Sequence, residues 1–427
     1  MNYLNQTQNV LIEEKKACLE ELESIAEKKI TLDLSRGKPS NLQLSLSMDM
    51  LDIINHNSEL VSENGMDCRN YGGLDGIPEA KRLLAEMLDT TPDHILVAGN
   101  SSLTLMFQIL SHSMTHGVQG GTPWMQVENR KFLCPVPGYD RHFAMTAHFG
   151  FTLIPIPMNA DGPDMDMIEE LVSRDDTIKG IWCVPKYQNP TGIVFSDEVV
   201  KRFASLSPAA KDFRIFWDNA YCVHGFDGEN AEILDIISEC EKAGNPDMVY
   251  EFCSTSKITF PGSGISAVAT SSKNLSDIKG FLKYATIGPD KMNQWMHVSY
   301  FKNAGDIHAH MKKHAAIMAP KFTAAYQILE ENLGDCGIAS WTYAKGGYFF
   351  SFYTMQGCAS KIVKMCKEYG VTFTPAGATH PTGLNAKDND IRIAPSYASE
   401  SEICAAVKVL ALCTKVVSLE NILKNAE

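Results

Sequence analysis

The stretch FRIFWDNAY, residues 213–221, decides the fold. Residues 213–217 read as an apolar strand suited to burial on both faces. Strands of that kind lie in mostly parallel sheets covered by helices. Outward from it the pattern repeats. Strands are expected at 94–98, 131–136, 151–158, 178–184 and 249–253, with helices at 78–88, 101–114, 140–149, 165–173 and 196–205 between them. Strands alternating with helices make βαβ units, an α/β architecture. In such sheets ligands bind beyond the carboxyl ends of the strands, so the residues just after each strand carry the interest.

Four strand ends hold polar residues that a buried sheet does not need. After 178–184 comes PKYQNPTG, with Asn189; after 213–217 comes DNAY, with Asp218 and Tyr221; after 249–253 comes STSK, with Lys257. After 94–98 comes GNSS, residues 99–102, which opens a helix. Free backbone N–H groups there, beside serine hydroxyls, form a ready anion site. Each feature alone has an ordinary structural reading: a turn, a cap, an exposed lysine, a polar loop. Their joint order does not.

The rest of the chain sets bounds. Its 427 residues exceed one ordinary core, and 44% hydrophobic with 21% charged residues is a globular composition. A net charge of −13 without a basic run disfavours nucleic acid and anionic membranes. The twelve cysteines are scattered without a C-x-x-C pair, as expected of reduced thiols in the cytoplasm. No signal peptide is visible at the N-terminus, and no apolar run approaches the ~20 residues that span a bilayer. An amphipathic helix is expected at 10–25 and an extended piece at 32–35. Past residue 306 come a long helix, a strand at 348–353, a helix near 360–369 and strand pieces near Val371 and Ile391. These predict a large domain over 51–305 and a smaller α+β domain from 1–50 with 306–427.

The succession Asn189, Asp218, Tyr221, Ser254, Lys257 resembles the fold-type-I pyridoxal-phosphate enzymes, specifically the class I aminotransferases. The likeness extends to NYGG at Asn70, VPGYD at Val136, GGYFFSF at Gly346 and IRIAPSY at Ile391, so it covers nearly the whole chain. The wording YQNPTG and KITFPGSGIS looks most like an atypical bacterial aspartate aminotransferase subgroup. The resemblance implies that Lys257 forms the Schiff base and moves the proton, and that Asp218 pairs with the ring N–H. It also implies that Asn189 and Tyr221 bond the ring's phenolic oxygen and that Tyr139 stacks on the ring. Gly99, Asn100, Ser101 and Ser254 would hold the phosphate, and Tyr71 would reach the phosphate of a neighbouring subunit in a homodimer. Arg392, a planar fork, would take the substrate α-carboxylate, with Gly37 closing over it.

One position departs from the pattern. Related enzymes carry a phosphate-clamping arginine where this chain has Gly264; Lys291 is a candidate replacement, with a solvated surface lysine as the other reading. Two motifs are decoys. Gly262, Gly264 and Ala267 spell a dinucleotide-like G-x-G-x-x-A, but a strand and not a helix is expected after them. His310 and His314 share a helix face without a third metal ligand, and are expected as exposed residues of an interdomain helix.

A dicarboxylic substrate needs a second cation. Arg141 and Lys291 are available, with Arg36 a weaker third, which favours L-aspartate and 2-oxoglutarate as the substrate pair. The rivals are a broad-specificity or aromatic aminotransferase, and a non-catalytic regulator that senses pyridoxal phosphate. The acidic charge and the lack of a basic N-terminal domain argue against the last.

Overall fold

The N-terminal segment consists of α1 (Gln8–Ala26), β1 (Leu32–Asp33) and a short α2 (Asn41–Ser45). The computed structural model describes residues 1–227, 230–382, 385 and 387–425. α3 (Pro78–Met87) begins on a proline, whose missing N–H costs nothing in a first turn. It leads to β2 (Ile95–Ala98) and α4 (Ser102–His116). The alternating run follows: β3 (Lys131–Val136), α5 (Asp140–His148), β4 (Thr152–Asn159), β5 (Gly162–Pro163), α6 (Met165–Arg174), β6 (Ile178–Cys183), α7 (Asp197–Ala204), β7 (Arg214–Asp218), α8 (Ile236–Lys242) and β8 (Val249–Ser254). β9 (Ser266–Ala269), α9 (Ser272–Ala285) and α10 (Lys291–Tyr300) complete this part.

The eight strands form one sheet in the order β2-β9-β8-β7-β6-β3-β4-β5. β4, β3, β6, β7 and β8 pair in parallel, while β9 runs antiparallel between β8 and β2. Every residue of β6 and β7 is buried, as their apolar runs require. Neighbours along β7 serve opposite faces: Trp217 packs with Phe203 and Ile237 on one side, Phe216 with Phe132 and Trp182 on the other. The stretch after Gly264 is strand β9 and not a helix, which disposes of the dinucleotide reading.

Beyond α10 lie α11 (Ala304–Leu333), β10 (Ala339–Trp341), β11 (Phe350–Thr354), α12 (Ala359–Glu368), β12 (Val371–Thr372), β13 (Asp390–Ile393) and α13 (Glu400–Asn425). β10, β11 and β13 form an antiparallel sheet. β1 pairs in parallel with β12, so the N-terminal segment joins this C-terminal part, and α13 packs on both α1 and α11. α8, α9, α10 and α13 have no counterpart in the sequence reading. α13 in particular is buried along most of its length, so its apolar residues form no single stripe. No helix among the described residues is long and apolar enough to cross a membrane.

Candidate active site

The carboxyl ends of β6, β7 and β8 and the start of α4 bring the polar strand-end residues to one edge of the sheet. Asp218 is the last residue of β7 and is 4% exposed. Its Oδ2 accepts a 3.0 Å hydrogen bond from His142 Nε2. His142 comes from α5, its ring stacked on Trp182 at 4.2 Å and edge-on to Tyr139 at 4.9 Å. Asp218 Oδ1 is buried and has no partner among the described residues. A buried acceptor left open is costly, and this one fits a protonated ring nitrogen.

Lys257 Nζ lies 4.5 Å from the centroid of the Tyr221 ring. Burial pushes the Tyr139 hydroxyl up to about 12, with the charge of Lys257 pulling the other way, so Tyr139 also faces the lysine. Tyr221 is raised further, by burial and then by the charge of Asp218. Behind Lys257 its carbonyl accepts from Tyr348 Oη at 3.4 Å, and Tyr348 Oη in turn accepts from Gln43 Nε2 at 3.0 Å. His224 is buried beside them with both ring nitrogens unpartnered among the described residues. Burial, then the charge of Lys257, depress it to about 3, so it is neutral.

The phosphate candidates form a stitched pair of loops. Ser256 Oγ donates to the Asn100 carbonyl at 2.9 Å and stands 2.9 Å from Ser254 Oγ. Ser266 Oγ donates to the Gly99 carbonyl at 2.7 Å. Ser101 caps α4 without spending its hydroxyl on the helix, and no atom lies within 4 Å of where a Cβ on Gly99 would stand. Free amides, unspent hydroxyls and open space suit a dianion.

Gly264 cannot carry the missing arginine without a shift: a Cβ there would stand 3.1 Å from Ser256 N and Thr255 Oγ1. Lys291 is buried, so the surface-lysine reading is corrected. Its Nζ donates to the Gly72 carbonyl at 2.7 Å, bracing the loop that presents Tyr71 with its side chain 80% exposed.

Arg392, on β13, is 7% exposed. Its Nη1 meets Asp140 Oδ1 at 2.8 Å and Asn189 Oδ1 at 3.4 Å, its Nε meets Thr374 Oγ1 at 3.3 Å, and Phe349 lies 4.9 Å beneath the guanidinium. Gly37 abuts the same ring so closely that a Cβ would fall 2.3 Å from Phe349 Cζ. Arg141 is exposed and lines a cleft of about 940 Å³ with Asp140, Phe143, Ala376 and His380; Lys257 and Asp218 are not among its lining residues. Arg36 is exposed.

His310 and His314 are buried, contrary to the exposed placement expected of them. α11 runs between packed elements there, and His310 Nε2 donates to the Ile258 carbonyl at 3.0 Å. No group of potential metal ligands occurs among the described residues. Sequence reasoning missed His142, Asp140 and His224. His142 had a signal: it follows Tyr139 by one helical turn and so shares its face.

The chain is similar to known proteins along nearly its whole length. The family model for aspartate amino-transferase matches residues 6–426. An aspartate aminotransferase of Corynebacterium glutamicum is 41% identical over 410 residues, covering 96% of this chain and 94% of that one. A crystal structure of an aspartate transaminase from the same species superposes with a TM-score of 0.96 at 39% identity, covering 99% of both chains. The α-aminoadipate aminotransferase of Thermus thermophilus, solved with N-(5'-phosphopyridoxyl)-L-leucine, shares the fold at a TM-score of 0.73 and 18% identity, over 96% of this chain and 95% of that one.

Proposed function

The chain belongs to the aspartate aminotransferase family of pyridoxal-phosphate enzymes, and on that premise we propose that it moves the amino group between L-aspartate and 2-oxoglutarate. The observation that carries this reading is the unpartnered Asp218 Oδ1, buried at the strand end beside Lys257 and Tyr221. Pyridoxal phosphate supplies an aldehyde for the amine and a protonated ring that draws electrons from the substrate Cα–H bond.

The chain's own residues do the rest. Asp218, oriented by His142, would meet the ring N–H with its free Oδ1. Lys257 would hold the aldehyde through its amine, and the same amine would serve as the group that moves the proton. Tyr221 and Asn189 would bond the phenolic oxygen, and Tyr139 would cover the ring. Gly99, Asn100, Ser101 and Ser254 would hold the phosphate. Arg392 takes the α-carboxylate, with Gly37 against the Phe349 ring that backs it. Arg141, next in the chain to the Asp140 that touches Arg392, is the cation for the distal carboxylate. The exposure of Tyr71 on a loop braced by Lys291 supports a homodimer in which Tyr71 reaches the partner's phosphate. Residues 51–305 would form the cofactor domain, and 1–50 with 306–427 the smaller one.

The test is the absorbance spectrum of the purified protein with pyridoxal phosphate, before and after L-aspartate without a keto acid. A visible band that shifts to the near ultraviolet is expected. A band indifferent to aspartate but responsive to phenylalanine or leucine would sink the substrate assignment and leave the chemistry standing.

A further inference from the structure

The α-carboxylate site already holds a carboxylate. Asp140 Oδ1 sits 2.8 Å from Nη1 of Arg392, whose side chain is 7% exposed, while the Asp140 side chain is 37% exposed. The Nε end of Arg392 faces Thr374 Oγ1, so the Nη1–Nη2 edge is the fork left for a substrate carboxylate, and Asp140, with the Asn189 Oδ1 at 3.4 Å on the same Nη1, holds half of it. Two carboxylates cannot share one nitrogen of a single cation without repulsion, so an incoming substrate must move Asp140 aside.

Asp140 has somewhere to go. It is the first residue of α5, and the preceding cap, Tyr139, leaves the helix's first amides without a side-chain acceptor. A carboxylate is favoured at that end by the unpaired N–H groups and the helix dipole. The His142 and Phe143 amides bond the Tyr139 carbonyl, so the amides of Asp140 and Arg141 are the ones that would favour the carboxylate once it leaves Arg392.

We propose that Asp140 is a resident carboxylate, seated on Arg392 when no substrate is bound and displaced by the α-carboxylate of the incoming amino acid. It acts as an intramolecular competitor, present at a high effective concentration that any free carboxylate must overcome. A lone monocarboxylate, whose whole attraction is this one fork, is screened out. A substrate that brings an amino group for the cofactor and a distal carboxylate for Arg141 has further contacts to offset the exchange. Asp140 is thus a specificity-determining residue, and this inference rests on the reading of Arg392 given above.

The test is a titration of the cofactor-loaded protein with acetate and with succinate, two carboxylates that cannot react, followed by the cofactor absorbance band and by protein fluorescence. Asp140→Asn keeps the shape and removes the competing charge. Asp140→Ser is the second variant, and retains a hydroxyl at the start of the helix. Both are expected to bind acetate on the order of tenfold more tightly than the wild type, with a smaller gain for succinate, and to lower KM for L-aspartate more than they change kcat. Unchanged or weakened acetate binding in both folded variants would overturn the proposal and make Asp140 an anchor that orients Arg392. Arg392→Gln separates the two layers: it should abolish acetate binding in the Asp140→Asn background. If Arg392→Gln binds acetate as the wild type does, the assignment of Arg392 fails, whatever Asp140 does.

Discussion

Replacing Glu251 with glutamine should change how stability depends on pH. Glu251 sits inside β8 opposite Trp217 and is 3% exposed. Its Oε1 accepts from Asn219 Nδ2 at 2.9 Å, and Oε2 has no partner among the described residues. Burial raises the carboxyl to about 8, Asp235 adds to this, and Asn219 and Lys186 oppose it. An acid raised on folding binds its proton more tightly in the folded chain. Its contribution is therefore complete below about 4.5 and is lost as the pH climbs through about 8. At roughly 1.4 kcal/mol per pH unit, the loss by pH 7 is about 3 kcal/mol. Glu251→Gln keeps the shape and the acceptor for Asn219 but cannot titrate. Variant and wild type should lie within about 1 kcal/mol at pH 5, with the variant ahead by about 3 kcal/mol at pH 7. Urea midpoints or thermal midpoints measured side by side from pH 5 to 8 would read the widening gap. Parallel curves would refute the reasoning and mean that Glu251 stays ionised in the fold with Lys186 as its counter-charge.

Asp390, raised to about 6 chiefly by burial, contributes stability that is complete below about 4 and lost as pH rises through 6; Asp390→Asn should flatten thermal midpoints over that window. His142→Leu removes the donor to Asp218 and should weaken pyridoxal-phosphate binding about tenfold or more, read by reconstitution of the cofactor-free protein; equal affinity would disconnect His142 from the ring. Lys291→Met leaves the Gly72 carbonyl without its donor and should cost roughly 1–3 kcal/mol in thermal unfolding and lower cofactor affinity through Tyr71. A variant destabilised but with unchanged affinity would limit Lys291 to bracing.

The parallel sheet was legible because its strands are apolar throughout and end on polar residues; β3 falls where the sequence reading put it, and β6, β7 and β8 fall within one residue of it. α13 was not, because its middle, buried against α1 and α11, leaves little solvent face to mark its period. The strand-end members of the site, Asn189, Asp218, Tyr221 and Lys257, could be named because a sheet has no need of them. His142 had only its spacing from Tyr139 to mark it and Asp140 had nothing, since their importance lies in what α5 is packed against: Asp218 in one case, Arg392 in the other. His310 and His314 look like surface residues among lysines, and only the packing of α11 buries them.

Tyr348 and Phe349, adjacent in the chain, stand back to back between the N-terminal segment and the site. Tyr348 links Gln43 to the carbonyl of Lys257, and Phe349 lies between Gly37 and the guanidinium of Arg392. For anyone reshaping the enzyme, these two rings make residues 37–43 part of the pocket's wall. Removing residues 1–50 would leave both rings bare on that side. Conversely, a bulkier residue at 37 paired with a smaller one at 349 would move the wall under Arg392 while leaving the lysine's own support in place.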